Sequence, residues 1–307
     1  MTRQRERGGR PSWVPVDQFP FESRVSHVDG HAVHYVDEGC GPVLLLMHGN
    51  PTWSFLYREI IRRLRNRFRC IAMDYPGFGL SRAAEGYDFL PSSHARVADA
   101  FIESLGIDRF SMMVQDWGGP IGLWVAGRRA SQVENLIIGN TWAWPIAGDK
   151  HFERFSKLMG GTIGRFMIRN FNAFVNLMIP MNVNRRRLSS ETMAAYRGPF
   201  PTKDSRMPTW IFPREILNSS GFLTEVESGL LHLRSKPALI VWGDRDIAFR
   251  AKERERFEET FPNHRTLVLK GAGHYIQEAA PEEIAIAIKQ WWSTGAEFRT
   301  RSSAASW

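Results

Sequence analysis

The chain has 307 residues, 43% apolar and 12% aromatic, so it can bury a sizeable core, and general disorder is excluded. The formal net charge is +8, spread over scattered arginines rather than one run interleaved with aromatics, which argues against a nucleic-acid module. Two cysteines, Cys40 and Cys70, give no disulfide framework and suit a reducing compartment, so a cytoplasmic location is expected.

Residues 1–13 are arginine-rich but lack an apolar centre, so no secretory signal is expected; this start and the tail from Ser293 to Trp307 read as frayed termini. No apolar run approaches the ~18 residues of a membrane span, and no membrane partner is expected. SRVSHVDGHAVHYVDEG reads as a hairpin turning at Asp29-Gly30, a pair suited to a tight turn with two positive φ angles. PVLLLMHGN then opens a series of runs apolar on both faces, as buried parallel strands require: CIAMD, FSMMVQ, ENLIIGN, ALIVWGD and TLVLKGAG. Helical stretches at 54–65, 93–105, 120–130 and 282–292 alternate with them. The alternation predicts an α/β fold with a doubly wound, mostly parallel sheet. Residues 142–213 break the rhythm with breakers at Gly160-Gly161, Pro180, Gly198-Pro199, Pro201 and Pro208. They are expected to form a helical cap, leaving 1–141 and 214–307 as the core domain. Such a cap would cover the carboxyl edge of the sheet, where open α/β sheets bind ligands.

Chemistry-bearing residues recur where these strands end. One strand ends at His48-Gly49-Asn50-Pro51, another at Asp116-Trp117, another near Asp244-Arg245-Asp246, and the last at His274. The chain order nucleophile, acid, histidine is that of α/β-hydrolases. No G-x-S-x-G occurs, so a serine nucleophile is disfavoured, and Asp116 occupies the strand-to-helix turn in VQDWGG. A carboxylate there suits displacement at saturated carbon, followed by hydrolysis of the resulting ester. A histidine takes the water's proton, and a second acid orients that histidine. Asp116, His274 and Asp246 fit these roles, with Asp244 as the rival acid.

HGNPTWSFLYR, DYPGFGLS, VQDWGG and GAGHYIQEAAP resemble the haloalkane dehalogenases, over most of residues 25–292 and least in the cap. The resemblance implies the α/β-hydrolase fold, Asp116 as nucleophile, and Trp117 and Asn50 as ligands of the departing halide. It also implies an oxyanion hole from the backbone N–H groups of Asn50 and Trp117. Indole and amide N–H groups are suited to an anion leaving in a dry pocket. GNTW, at 139–142, holds no carboxylate, so the acid falls to Asp246 by the W-G-x-x-D register. That pattern, an Asp-His-Asp triad with Asn and Trp, resembles the third subfamily of these enzymes. The partners implied are a small halogenated hydrocarbon, water and the halide product, with no cofactor or metal; self-association is possible in that subfamily.

Trp53, Trp142, Phe249 and Tyr275 neighbour these positions and are candidates to line the pocket. His48 reads as a structural support. His27, His31 and His34 lie near one hairpin without a clear acidic ligand set, so no metal is expected. Arg185-Arg186-Arg187 reads as a solvated face, and Trp291-Trp292 as packing. The runner-up activity is epoxide hydrolysis, which uses the same Asp turn but donor tyrosines in the cap, where only Tyr196 occurs. Fluoroacetate dehalogenases typically place arginine after the nucleophile, where this chain has Trp117. A non-catalytic protein on the same fold is the third reading.

Overall fold

The computed structural model describes residues 6–7 and 9–303. Nine strands form one sheet: β1 (Glu6–Arg7), β2 (Arg24–Val28), β3 (His31–Glu38), β4 (Val43–Met47), β5 (Arg69–Met73), β6 (Phe110–Gln115), β7 (Val133–Gly139), β8 (Ala238–Gly243) and β9 (His264–Leu269). Their order is β1-β2-β3-β5-β4-β6-β7-β8-β9. From β5 to β9 every neighbouring pair is parallel, while β1, β2 and β3 add an antiparallel edge. β6 and β8 are buried at every position, which is why their sequences show no alternation. The β2–β3 hairpin turns through Asp29 and Gly30, both at positive φ as its two-residue turn requires.

Helices α1 (Arg58–Leu64), α2 (Pro91–Ser104) and α3 (Gly118–Arg128) flank this sheet. Between β7 and β8 the chain forms a helical layer of α4 (Lys150–Gly160), α5 (Thr162–Phe171), a π-helical turn (Phe174–Met178), α6 (Ile179–Met181), α7 (Ser190–Arg197) and α8 (Met207–Asn218). The sequence boundary at 213 therefore falls inside α8, which runs on to Asn218 through Pro213. α9 (Ser220–Leu233) returns to the core against α3, where Gly127 and Gly229 let the two backbones approach. α10 (Ala251–Thr260), α11 (Ile276–Ala279) and α12 (Pro281–Ser303) complete the chain.

The expected frayed ends need correction. α12 continues through Ser303, and Trp13 packs edge-on against Trp53 with Phe19 fully buried beside it. Residues 1–5, 8 and 304–307 lie outside the described residues. Among the described residues no helix is long and apolar enough to cross a membrane.

The cap is tied to the core by polar groups that are costly to leave unpaired. Gly273 N–H and Tyr275 N–H each donate to a cap carbonyl, of Val183 and Asn182, at 3.3 Å. Deeper lies a buried ion cluster. Glu278 is forked by Arg58, accepts from Tyr196 Oη at 2.5 Å, and accepts from Arg186 Nη2 at 2.5 Å. Burial opposes the Glu278 charge, but these cations and the tyrosine hold its carboxyl below the usual range. The Arg185–Arg187 run is thus not simply solvated. Arg186 closes this cluster, and Arg185 pairs with Glu283 while donating to the Lys270 carbonyl at 2.8 Å.

Removing the carboxylate would strand the Arg58 charge in the core. Glu278→Gln is therefore expected to destabilise the fold by about 3–5 kcal/mol, read by denaturant unfolding of the full chain. A loss below about 1 kcal/mol would place it in the range of exposed pairs instead.

Candidate active site

The carboxyl ends of β4, β6, β7 and β8, with the loop after β9, converge beneath the cap. Asp116 sits between β6 and α3 at φ 52°, an uncommon backbone state for a residue with a Cβ. Its N–H donates to the Asn140 carbonyl at 3.0 Å, and its own carbonyl accepts from Thr141 Oγ1 at 2.6 Å. A side chain at Gly49 would strike the Asp116 carboxylate, and one at Gly119 would strike Thr141. The glycines flanking the two motifs are steric requirements of this turn.

The Asn50 N–H donates to Asp116 Oδ1 at 2.7 Å. The Trp117 N–H, expected to donate beside it, makes no hydrogen bond to that carboxylate. The other carboxylate oxygen, Oδ2, faces His274 Nε2 at 3.5 Å. His274 Nδ1 in turn meets Asp246 Oδ2 at 2.9 Å. Asp246 is held by Asn140 Nδ2 at 2.7 Å and by the Ala248 N–H at 2.6 Å. Asp244 instead accepts from the Gly271 N–H at 2.6 Å, outside this array. Gln115 Nε2 donates to the His274 carbonyl at 3.1 Å, fixing the loop that carries the ring.

Asn140 was not singled out by sequence. The signal for it is indirect: where GNTW lacks a carboxylate, an amide fills the space and grips Asp246 instead. It also accepts from the Gly243 N–H at 2.8 Å, bridging the ends of β7 and β8.

A cavity of about 250 Å³ opens onto Asp116 and is almost wholly apolar. Trp117, Trp142, Phe249 and Tyr275 line it, as do Phe174 and Met178 from the π-helical turn of the cap. Trp117 is buried, packs edge-on against Trp142 with centroids 4.6 Å apart, and its indole N–H has no protein acceptor among the described residues. Asn50 also lines the cavity, and its amide donates to the Thr209 carbonyl at 3.1 Å. That carbonyl is available because Pro213, four residues on in α8, has no N–H to give it. One amide hydrogen of Asn50 is thereby anchored and the other is left over.

Trp53 is a correction. It stands outside the cavity, stacked on Phe55 with its indole N–H donating to the Ala195 carbonyl at 3.0 Å. The short helical turn that follows it carries its ring toward the N-terminal segment rather than the site. His48 is buried; its Nε2 accepts from the Tyr75 N–H at 3.1 Å, and burial lowers its pKa. That ring is neutral and holds a loop. His34 is occupied by Asp74 at 2.8 Å and His31 by the Ala84 N–H at 2.9 Å. Among the described residues no cluster has a metal-ligand arrangement.

Burial opposes a charge on His274, but Asp246 foremost and then Asp116 overcome it and push its pKa up to about 10. Folding therefore gains stability from the protonated ring, fully below its ordinary value of 6.5 and lost as pH rises through about 10. With Asp116→Asn one carboxylate is gone. The imidazole midpoint followed by NMR is expected to fall in that variant, and an unchanged midpoint would show that Asp116 exerts no field on the ring.

Residues 42–281 match the family model of the alpha/beta hydrolase fold. The chain is 45% identical over 272 residues to haloalkane dehalogenase 2 of Mycobacterium tuberculosis, covering 88% of this chain and 94% of that one. It is 30% identical over 282 residues to a cis-3-alkyl-4-alkyloxetan-2-one decarboxylase of Shewanella oneidensis, covering 89% of each. The crystal structure of haloalkane dehalogenase DbeA from Bradyrhizobium elkani superposes with a TM-score of 0.82 at 31% identity, covering 89% of this chain and 97% of that one. The chain belongs to the haloalkane dehalogenases of the α/β-hydrolase fold.

Proposed function

We propose that the protein hydrolyses small haloalkanes to an alcohol and a halide through an alkyl ester on Asp116. The observation that carries this is the division of labour between the two Asp116 oxygens. Asn50 N–H holds Oδ1, which leaves Oδ2 as the nucleophilic atom. Oδ2 attacks the halogen-bearing carbon, and the carbon–halogen pair of electrons leaves with the halide. The Trp117 indole N–H and the remaining Asn50 amide hydrogen receive the halide. Both residues line an almost wholly apolar cavity, where N–H donors to an anion count for more than in water.

In the ester, Oδ1 is the carbonyl oxygen and already lies against the Asn50 N–H. Water adds to that carbonyl while His274 Nε2 takes its proton, and Asp246 keeps the ring oriented through Nδ1. Alkylation removes the Asp116 charge, one of the two that raise the His274 pKa. The charged form is then favoured less, so the ring releases its proton to solvent and presents the neutral Nε2 that accepts the water's proton. Collapse of the tetrahedral adduct releases the alcohol, and the proton passes to solvent. No cofactor takes part. The Asp246 acid with Asn50 and Trp117 supports the third-subfamily pattern, and the cavity of about 250 Å³ favours short substrates.

Epoxide opening needs a donor in the cap. Tyr196 is fully buried on Glu278 and does not reach the cavity, so the structure gives that reading no support.

Halide release from bromo- and iodoalkanes is expected from the native chain and absent in Asp116→Ala; a folded native chain that releases none would sink the proposal. His274→Gln is expected to stop turnover after one event and leave the alkyl group on Asp116, seen as a mass increase by peptide mass spectrometry. Trp117→Phe removes one halide donor and should lower the rate about a hundredfold. Pro213→Ala restores an N–H that competes with Asn50 for the Thr209 carbonyl. It is expected to weaken halide binding several-fold, measured by quenching of tryptophan fluorescence, and unchanged binding would remove Pro213 from the account.

A further inference from the structure

The outer face of the cap is built unlike the rest of the surface. On α5, Ile163, Phe166 and Phe171 are 69%, 58% and 58% exposed, although their spacing places them with Met167 along one side of the helix. Phe166 and Phe171 lie edge to face in the open, with centroids 6.0 Å apart. Elsewhere on the cap Leu177 and Met181, one turn apart, are also exposed. Apolar side chains exposed singly are ordinary, but a continuous stripe marks an interaction site.

Along the sequence, charge accompanies the stripe. Between Lys150 and Leu188 stand eight lysines and arginines and a single acid, Glu153, so this segment holds most of the net +8 of the chain. Glu153 answers Lys157, Asp204 answers Arg169, Glu283 answers Arg185 and Glu278 answers Arg186. Arg154 and Arg187 are exposed and make no ion pair among the described residues.

We infer that the outer face of the cap docks on an anionic lipid surface, with the α5 stripe at the acyl boundary and the arginines at the headgroups. Aromatic and aliphatic residues on one side with cations beside them are the composition of an interfacial helix. A second copy of the chain is a poor occupant, because it would oppose two faces of the same positive sign. An anionic polymer would satisfy the arginines and leave the apolar stripe in water. The docking is peripheral, in keeping with the lack of a spanning helix among the described residues. It departs from the sequence expectation of no membrane partner. It also stands apart from the chemistry at Asp116, since binding is read without turnover.

The test is flotation of the full chain with vesicles of phosphatidylcholine alone and with about one-third phosphatidylglycerol. Binding is expected to the anionic vesicles and to fall as salt is raised to about 0.5 M. Arg154→Gln with Arg187→Gln should weaken it about fivefold for each arginine removed. Phe166→Ser with Phe171→Ser should weaken it by a similar factor for each ring withdrawn. All four positions are exposed, and unchanged thermal unfolding of both variants verifies that the fold is intact. Absence of binding, equal binding to neutral vesicles, or binding untouched by the serine pair would overturn the inference.

Discussion

Asp116 holds a left-handed backbone conformation that costs an ordinary residue about 1–2 kcal/mol, and the surrounding elements are arranged to keep it there. Its N–H and carbonyl are gripped by Asn140 and Thr141 just after β7, and its carboxylate by the loop after β4. The glycines of HGN and DWGG are the counterpart of this grip, because a Cβ at Gly49, Gly118 or Gly119 would meet its neighbours at impossible distances. The result is a carboxylate that projects from the sheet edge at the start of α3. The cavity, His274, Asn50 and Trp117 are all set out around that one fixed group.

The same placement solves a problem of timing. A histidine between two carboxylates is strongly biased toward its charged form, which is unsuited to accepting a proton from water. Under the proposed chemistry the first step neutralises one of those carboxylates by turning it into an ester. The field on the ring then falls at the moment a base is wanted. Asp246 stays behind, doubly hydrogen-bonded by Asn140 and Ala248, and keeps Nδ1 toward itself, so that Nε2, which the Gln115 amide nitrogen also approaches to 3.0 Å, is the nitrogen on the ester side. Asn140 contributes by being neutral: a carboxylate in its place would add a second negative charge beside Asp246 and bias the ring further toward its charged form.

Much of this was legible in the chain, for physical reasons. Strands buried on both faces read as unbroken apolar runs, and a parallel sheet puts their carboxyl ends on one edge, so Asp116, Asp246 and His274 could be brought together without a structure. What was lost depends on direction or on distant pairing. Trp53 is adjacent to the site in sequence, yet the direction of its ring was set by a short helical turn that no periodicity reveals. Arg186 and Glu278 are 92 residues apart, and nothing local marks an arginine as the partner of a buried acid. The end of the cap was placed at 213, but α8 carries Pro213 through its interior and runs on to Asn218, because one proline can sit inside a helix whose freed carbonyl finds another donor.

That proline connects fold and chemistry. A break in the helix ladder leaves a carbonyl without a donor, and a buried carbonyl needs one. Here the donor comes from Asn50 across the cavity, so the defect in α8 orients an amide of the core. Coupling of this kind makes the cap part of the site rather than a cover over it. A shift of α8 that moved the Thr209 carbonyl would turn the Asn50 side chain, while the Asn50 N–H stayed on Asp116 Oδ1. Under the proposed chemistry the halide donor is therefore sensitive to cap packing and the oxyanion donor is not. Variation among caps on this core should alter how the leaving group is received before it alters how the ester is hydrolysed.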